Sequence, residues 1–596
     1  MRINGQPLKT GVNRELIGNF ELNFSISKFR GYLIEIEMRN LLDTPKFAGE
    51  IKIGEMDSNG EIFMNNFQSW GPCTFVNPYE VSKLLKFSTF QLNFGISPVL
   101  WEFRDGIVSD YFVATDREFA GFLSSNLSHP YFKWHDGKID VKVYIGKILL
   151  PHESVKIEKL WVYEFNAIED ALQNYALEVL KEKTLRSHAP LFGWESWYSY
   201  YLDISQETFL KELENANLKY EVFQLDDGYE ADIGDWLRTN SKFPDGLEFL
   251  ARKIKEKSMK AGIWTAPFSV SESSELFRSH PDYLVKDDKG NPVVAYENWN
   301  KKIYAIDLSN DEAIEWLKNL FSTLKGYGYE FFKIDFLFAG MVPGKRKSNL
   351  SPVESYTRGM KAIAEAVGEG HILGCGAPLL PSIGYVDSMR IGADTAPEWG
   401  EMDIGTPSAK YSIRNALTRN FMNKWWVNDP DCVMARSQRT KLSKNERMIN
   451  LFVPALLNGH FLESDFLGEL TDEDIHLLID ALNFRNGHAT VRFIDGQRYV
   501  ITTKNSRNGD VVSFVNLSDS VWEDNLSNYI NEKKEDEFFI SYPLMKSAGG
   551  DLKIDPRSVE IVLHRGKRYL KRDDEKEDDG RDIHYYWGDD YDGVKI

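Results

Sequence analysis

Between about residue 187 and residue 487 the chain repeats one rhythm: a short apolar run, a loop, then an amphipathic helical stretch. Such alternation implies parallel strands joined by crossover helices, because parallel neighbours cannot be linked by a tight hairpin. Eight rounds fit, with strands beginning near Leu191, Val222, Gly262, Ile303, Phe331, Ile372, Ser388 and Trp425. Helix start signals fall between them. Ser309-Asn310-Asp311-Glu312 reads as a capping box, and Ile314, Leu317, Phe321 and Leu324 then share one helical face. Long strand-to-helix loops, with no glycine-rich phosphate turn, favour a (β/α)8 barrel of the TIM type over an open doubly wound sheet.

The flanks have a different period. Before the barrel, stretches such as Tyr32–Met38 and Val141–Ile145 alternate apolar and polar residues between turn-forming segments, the pattern of an antiparallel β-sandwich. After it, Tyr499–Thr503 and Val511–Val515 return to strand character, and the charged run 571–582 reads as a solvated loop before a last strand at Ile583–Tyr586. The expected organisation is multidomain α/β and β: an N-terminal β-sandwich domain over residues 1–183, a catalytic barrel over 184–488, and a C-terminal antiparallel β domain over 489–596.

Composition narrows the function classes. With 71 Lys and Arg against 90 Asp and Glu, the net charge of −19 repels phosphate backbones, so no nucleic-acid partner is expected. No apolar stretch reaches the roughly 18 residues a membrane span needs, and the amino terminus has no signal-like apolar segment. Three cysteines in 596 residues make no disulfide framework. The expected compartment is cytoplasmic, without a membrane partner; a homo-oligomer is compatible with all of this. Aromatic residues reach 13%, more than cores need, and flat rings often serve as platforms for sugar-like ligands.

In a barrel, reacting groups sit at the carboxyl ends of the strands. Asp226 and Asp227 close the apolar run Val222–Leu225, either as site carboxylates or as a turn pair; strand alternation allows at most one to look into the barrel. Lys333 and Asp335, two apart in Phe331–Phe338, share a face, as an active pair or a structural ion pair, and the ammonium should hold Asp335 ionised. Arg390 and Asp394 lie on the loop after another strand, and Gly374-Cys375-Gly376 offers close backbone approach. With Trp197, Tyr198, Trp264 and Trp399 nearby in sequence, the set suggests a sugar site. Metal-activated water is disfavoured, since His188, His280 and His371 are the only histidines from 185 to 400 and none sits at a predicted carboxyl strand end. Cys375 lacks a base and reads as pocket wall.

These motifs form an ordered set. Asn66-Phe67-Gln68-Ser69-Trp70-Gly71-Pro72-Cys73, Gly193-Trp194-Glu195-Ser196-Trp197-Tyr198, Gln224-Leu225-Asp226-Asp227-Gly228-Tyr229, Gly262-Ile263-Trp264, Phe332-Lys333-Ile334-Asp335-Phe336 and the Cys375 and Asp394 loops resemble α-galactosidases of glycoside hydrolase family 36. The resemblance covers residues 60 to 435 and is closest to the compact bacterial and archaeal members. It implies a cofactor-independent, metal-free retaining exo-α-galactosidase acting on galactose-containing oligosaccharides of the melibiose and raffinose type, with Asp335 as nucleophile and Asp394 as acid/base. It further implies that Asp226 and Asp227 take the 4- and 6-hydroxyls, that Lys333, Cys375 and Arg390 help hold the ring, and that Trp264 and Trp70 line the pocket, Trp70 reaching over from the sandwich. Asp394 is expected to be partly desolvated, near a second carboxylate and protonated at rest. Glu195 stands where many relatives carry cysteine, and the glycine run after Cys375 is only Gly376-Ala377-Pro378. A galactosyl transferase of the same family and a non-catalytic carbohydrate-binding protein are the alternatives.

Overall fold

Eight short, largely buried strands make the central sheet of the computed structural model: β1 (Phe192–Glu195), β2 (Val222–Leu225), β3 (Lys260–Thr265), β4 (Tyr329–Ile334), β5 (His371–Gly374), β6 (Ser388–Arg390), β7 (Val427–Asp429) and β8 (Phe461–Glu463). The structure describes residues 1–3, 5–80, 107–186, 189–400, 407–485, 487–505, 509–529, 537–542, 546–547 and 550–566. All neighbouring pairs are parallel, in the order β7-β6-β5-β4-β3-β2-β1-β8. The ring closes where the His460 N–H donates to the Asn428 carbonyl at 2.9 Å and the Val433 N–H to the Leu462 carbonyl at 2.8 Å. Helices follow the strands, and their apolar faces cover the sheet: in Asp311–Tyr327, Ile314, Leu317, Phe321 and Leu324 are all buried. Asn310 caps that helix by accepting from the Glu312 N–H, in place of a Ser309 capping box.

The assignment of Ile303 to a barrel strand is corrected. Lys301–Ala305 belongs to a separate three-stranded antiparallel sheet with Ser269–Ser271 and Val294–Asn298, inserted after β3. Its Ile303 and Ala305 are buried while Lys302 is exposed, the half-buried alternation of an antiparallel strand; barrel strands are covered on both faces. The eighth barrel strand is Phe461–Glu463, beyond the segment read as closing.

Before the barrel, a six-stranded and an eight-stranded antiparallel sheet pack around Leu22, Ile36, Met38, Val141 and Val143. After it, a six-stranded antiparallel sheet and a two-stranded one enclose Val512, Phe514, Trp522 and Val562. The charged run 571–582, the strand read at Ile583–Tyr586 and His188 lie outside the described residues. Among the described residues, no helix is long and apolar enough to cross a membrane.

Candidate active site

The carboxyl ends of the strands open into a cavity of about 1000 Å³. It is lined by Trp197 and Tyr198 after β1, Asp226 and Asp227 after β2, Trp264 on β3, Lys333 on β4, Asp335 just after it, Arg390 on β6 and Asp394 beyond, with Trp70 from the sandwich loop. Cys375 lies behind this surface, fully buried. Asp226 and Asp227 both face the cavity. Strand β2 ends at Leu225, so period-two alternation no longer governs them. Trp399 is buried outside the lining, under the Arg557 guanidinium.

Two ion networks lie beneath the cavity floor. In the first, the Lys333 ammonium donates to Asp226 Oδ2 at 2.8 Å and to Glu195 Oε2 at 3.0 Å, and Gln224 Nε2 donates to the same two carboxylates. The partners of Lys333 are therefore Glu195 and Asp226, not Asp335 as the sequence spacing suggests. Burial works against the Lys333 charge, but these two carboxylates outweigh it and hold the ammonium protonated. Burial pushes the Glu195 carboxyl up to about 8, with Lys333 opposing and Asp226 and Asp431 adding. The Cys432 thiol donates to its other oxygen at 2.8 Å.

The second network centres on Arg390, whose Nη2 lies 2.6 Å from both Asp394 Oδ1 and Asp431 Oδ2. Asp431 also accepts from the Thr395 N–H at 2.7 Å and from the Tyr198 hydroxyl. Glu195, Asp431 and Cys432 bring potential metal-ligating atoms within 4.8 Å of one another, but Lys333, Arg390 and Tyr198 already address those carboxylates.

Asp335 is placed differently. Its Oδ2 accepts from the Trp264 indole N–H at 3.1 Å and its Oδ1 from the Phe336 N–H at 2.7 Å. Burial raises its pKa; Lys333 opposes this from a distance, and Asp394 adds to it. Phe336 takes φ of 50°, uncommon for a bulky residue, and this turn aims its own N–H at the Asp335 carboxylate. Asp394 is 37% exposed and bound to a guanidinium. It is half-buried, and the same guanidinium nitrogen joins it to a second carboxylate, Asp431.

Two features escaped the sequence. Trp299 donates its indole N–H to Asp227 Oδ2 at 2.8 Å from the tip of the hairpin joining Val294–Asn298 to Lys301–Ala305, where Trp299 and Asn300 both have positive φ, the backbone of a type I′ turn. Reading Ile303 as barrel hid that hairpin. Asp429 and Asp431 follow the apolar run Trp425-Trp426-Val427, and the strand-end rule applied elsewhere would have found them. Burial pushes Asp429 up to about 6.

Two predictions arise here. Gly376 has φ of 51°, and a β-carbon on it would stand 3.1 Å from Asp335 Oδ1, the Phe336 nitrogen and Trp70 Cζ2. Gly376→Ala should therefore displace Asp335 and lower kcat on the order of tenfold to a hundredfold, with some loss of melting temperature from the left-handed backbone; an unchanged kcat would refute the contact's importance. Glu195 releases its proton near 4.5 when unfolded but holds it to about 8 when folded, so its contribution to stability is lost as pH rises through that window. Glu195→Gln should flatten the decline of melting temperature between about pH 4.5 and 8, and a variant profile parallel to the parent's would overturn the assignment.

Comparison with known proteins agrees along the chain. Residues 31–164 match the family model "Alpha-galactosidase, N-terminal" and residues 161–339 match "Melibiase". Alpha-galactosidase AgaA of Geobacillus stearothermophilus is 36% identical over 98 residues, 15% of this chain and 13% of the relative. Alpha-galactosidase 1 of Pediococcus pentosaceus is 30% identical over 142 residues, 22% and 19%. These alignments span less than a fifth of either relative's length. The solved α-galactosidase of Thermus thermophilus, in complex with p-nitrophenyl α-D-galactopyranoside, superposes with a TM-score of 0.64 at 25% identity, covering 82% of this chain and 98% of its own. The crystal structure of the GH36 enzyme AgaA shares the fold at 13% identity, with a TM-score of 0.61 over 95% and 88%. Adjoining α-galactosidase and melibiase segments, on an architecture shared with solved enzymes across most of the chain, make this protein a member of the glycoside hydrolase family 36 α-galactosidases.

Proposed function

We propose that the protein is a retaining exo-α-galactosidase that hydrolyses terminal α-linked galactose from oligosaccharides of the melibiose and raffinose type. The observation that carries this reading is the contrast between two carboxylates on one cavity. Asp335 is buried and fixed by two N–H donors, while Asp394 stands at the more exposed side beside a guanidinium. In the proposed first step Asp335 attacks the anomeric carbon as the ionised nucleophile, and Asp394 protonates the departing glycosidic oxygen. In the second, Asp394 takes a proton from water, which attacks the same carbon and releases galactose with its configuration retained.

Asp226 and Asp227 accept sugar hydroxyls, Lys333 fixes Asp226, Trp299 fixes Asp227 and Arg390 fixes Asp394, and the rings of Trp264 and Trp70 wall the site. Cys375 supports Asp335 from behind. The Thermus thermophilus relative is solved with stachyose, which supports an oligosaccharide substrate carrying terminal galactose. Three free, buried cysteines support a cytoplasmic setting.

The test is turnover of p-nitrophenyl α-galactoside followed by NMR, with α-galactose expected as the first product; β-galactose, or no release, would overturn the reading. Asp394→Ala should cut melibiose hydrolysis by about 10³-fold but nitrophenyl galactoside hydrolysis far less, because only the sugar leaving group needs a proton. Equal losses on both substrates would remove Asp394 from that role.

A further inference from the structure

Arg419 is an expensive residue with no carboxylate partner among the described residues. It is fully buried at the end of the helix Ala409–Thr418, below the loop that follows β6. Four side-chain hydrogen bonds go to neutral oxygens, Nε and Nη2 to Asn65 Oδ1 at 3.1 and 3.0 Å and Nη1 to the Ser69 carbonyl at 2.6 Å and the Ile391 carbonyl at 2.9 Å, and the neutral Cys73 thiol is a further neighbour. Burial brings its pKa down to about 10, and a cation buried without a counter-ion is costly. A buried amide or apolar residue would fill the space at lower cost, so the fork geometry of the guanidinium is what the site uses.

The acceptors locate that use. Ser69 precedes Trp70 on the loop that the sandwich extends into the cavity, and Ile391 follows Arg390 on the loop that leads to Asp394. The helix grips the Trp70 loop at further points: Asn415 Nδ2 donates to the Gly71 carbonyl, Asn415 Oδ1 accepts from the Cys73 N–H, and the Thr418 hydroxyl donates to the Cys73 carbonyl. Main-chain atoms of residues 69, 71 and 73 are thus held on one side. Trp70, between them, turns the other way and meets Phe336 edge-on at 5.0 Å. Gly71 has no room for a side chain, since a β-carbon would fall 2.1 Å from Asn66 Cγ.

We infer that Arg419 is a positioning residue that clasps the Trp70 loop of the sandwich to the Arg390–Asp394 loop of the barrel, so that both walls of the cavity move as one piece. It touches neither the cavity nor a reacting group, and it acts through Trp70 and Arg390. The inference rests on the α-galactosidase reading only for its assay.

A double-mutant cycle tests it on p-nitrophenyl α-galactoside, with Arg419→Lys, which keeps the charge but loses the fork, and Trp70→Ala. Arg419→Lys is expected to lower kcat/KM about tenfold, and Trp70→Ala about thirtyfold in the parent but less than about threefold in the Arg419→Lys background. Multiplicative losses, or an Arg419→Lys protein with parental kcat and KM, would overturn the clasp. If Arg419→Lys does not fold, Asn65→Ala takes its place in the cycle and the same two outcomes decide. Absence of turnover in the parent protein would instead overturn the α-galactosidase reading.

Discussion

Asp335→Ala is expected to lower kcat on p-nitrophenyl α-galactoside on the order of 10⁴-fold or more, with melting temperature nearly unchanged. The carboxylate supplies the covalent step, and its neighbours cannot replace it: the Cys375 thiol is held protonated by burial. The Trp264 indole and the Phe336 N–H are donors with no nucleophilic electron pair, and Lys333 is committed to Glu195 and Asp226. The fold should tolerate the loss, because the carboxyl is buried against a pKa already raised by desolvation and contributes little net stabilisation in its charged form. Azide adds a sharper measurement. A small anion entering the space left by Asp335 attacks from the same side in a single displacement, giving β-galactosyl azide, whereas azide with Asp394→Ala should give the α-azide. Retention of configuration in the Asp335→Ala product, or a residual kcat within about a hundredfold of the parent's, would exclude Asp335 as the nucleophile.

Where the sequence was readable, the reason is local. Seven of the eight barrel strands lie at segments marked in the sequence, and apolar runs covered on both faces, such as Val222–Leu225, belong in the middle of a parallel sheet. The polar residues that end those runs, such as Asp226, Asp335 and Arg390, face the cavity because the chain leaves the sheet there. What could not be read depends on contacts far apart in sequence. Ile303 lies in an apolar segment of the right length, and only its antiparallel partners 269–271 and 294–298 decide its sheet. Lys333 and Asp335 stand two apart at the end of β4, but the ammonium pairs across the barrel with Glu195, 138 residues away, and Asp226, 107 away. Trp299 reaches Asp227 by way of a left-handed turn that no periodicity announces. Spacing along one strand says which groups share a face. It does not say which charges meet.

Lys333→Met should be among the most damaging single changes to stability and should also abolish turnover. Removing the ammonium leaves Glu195 and Asp226, 2.8 to 3.0 Å from it and both nearly inaccessible, without the cation that offsets their burial. Breaking a buried pair from one side typically costs about 3–5 kcal/mol. The sign of the pH dependence follows from the carboxyls. Lys333 holds the Glu195 pKa down, so without it that carboxyl keeps its proton past about 8, and the destabilisation should be small near pH 5, where protonation relieves the unpaired charge, and grow as pH rises through 8 and beyond. Glu195→Gln introduced into Lys333→Met should restore part of the loss at pH 8 and above, because it removes the carboxyl that would ionise there without a cation beside it. Activity should not return with it, since Asp226 still lacks the ammonium that fixes its oxygen toward the cavity floor. Denaturant midpoints of the two variants at about pH 5 and pH 8, set beside kcat, separate the effects. A destabilisation independent of pH would show that Lys333 acts by packing and not by charge.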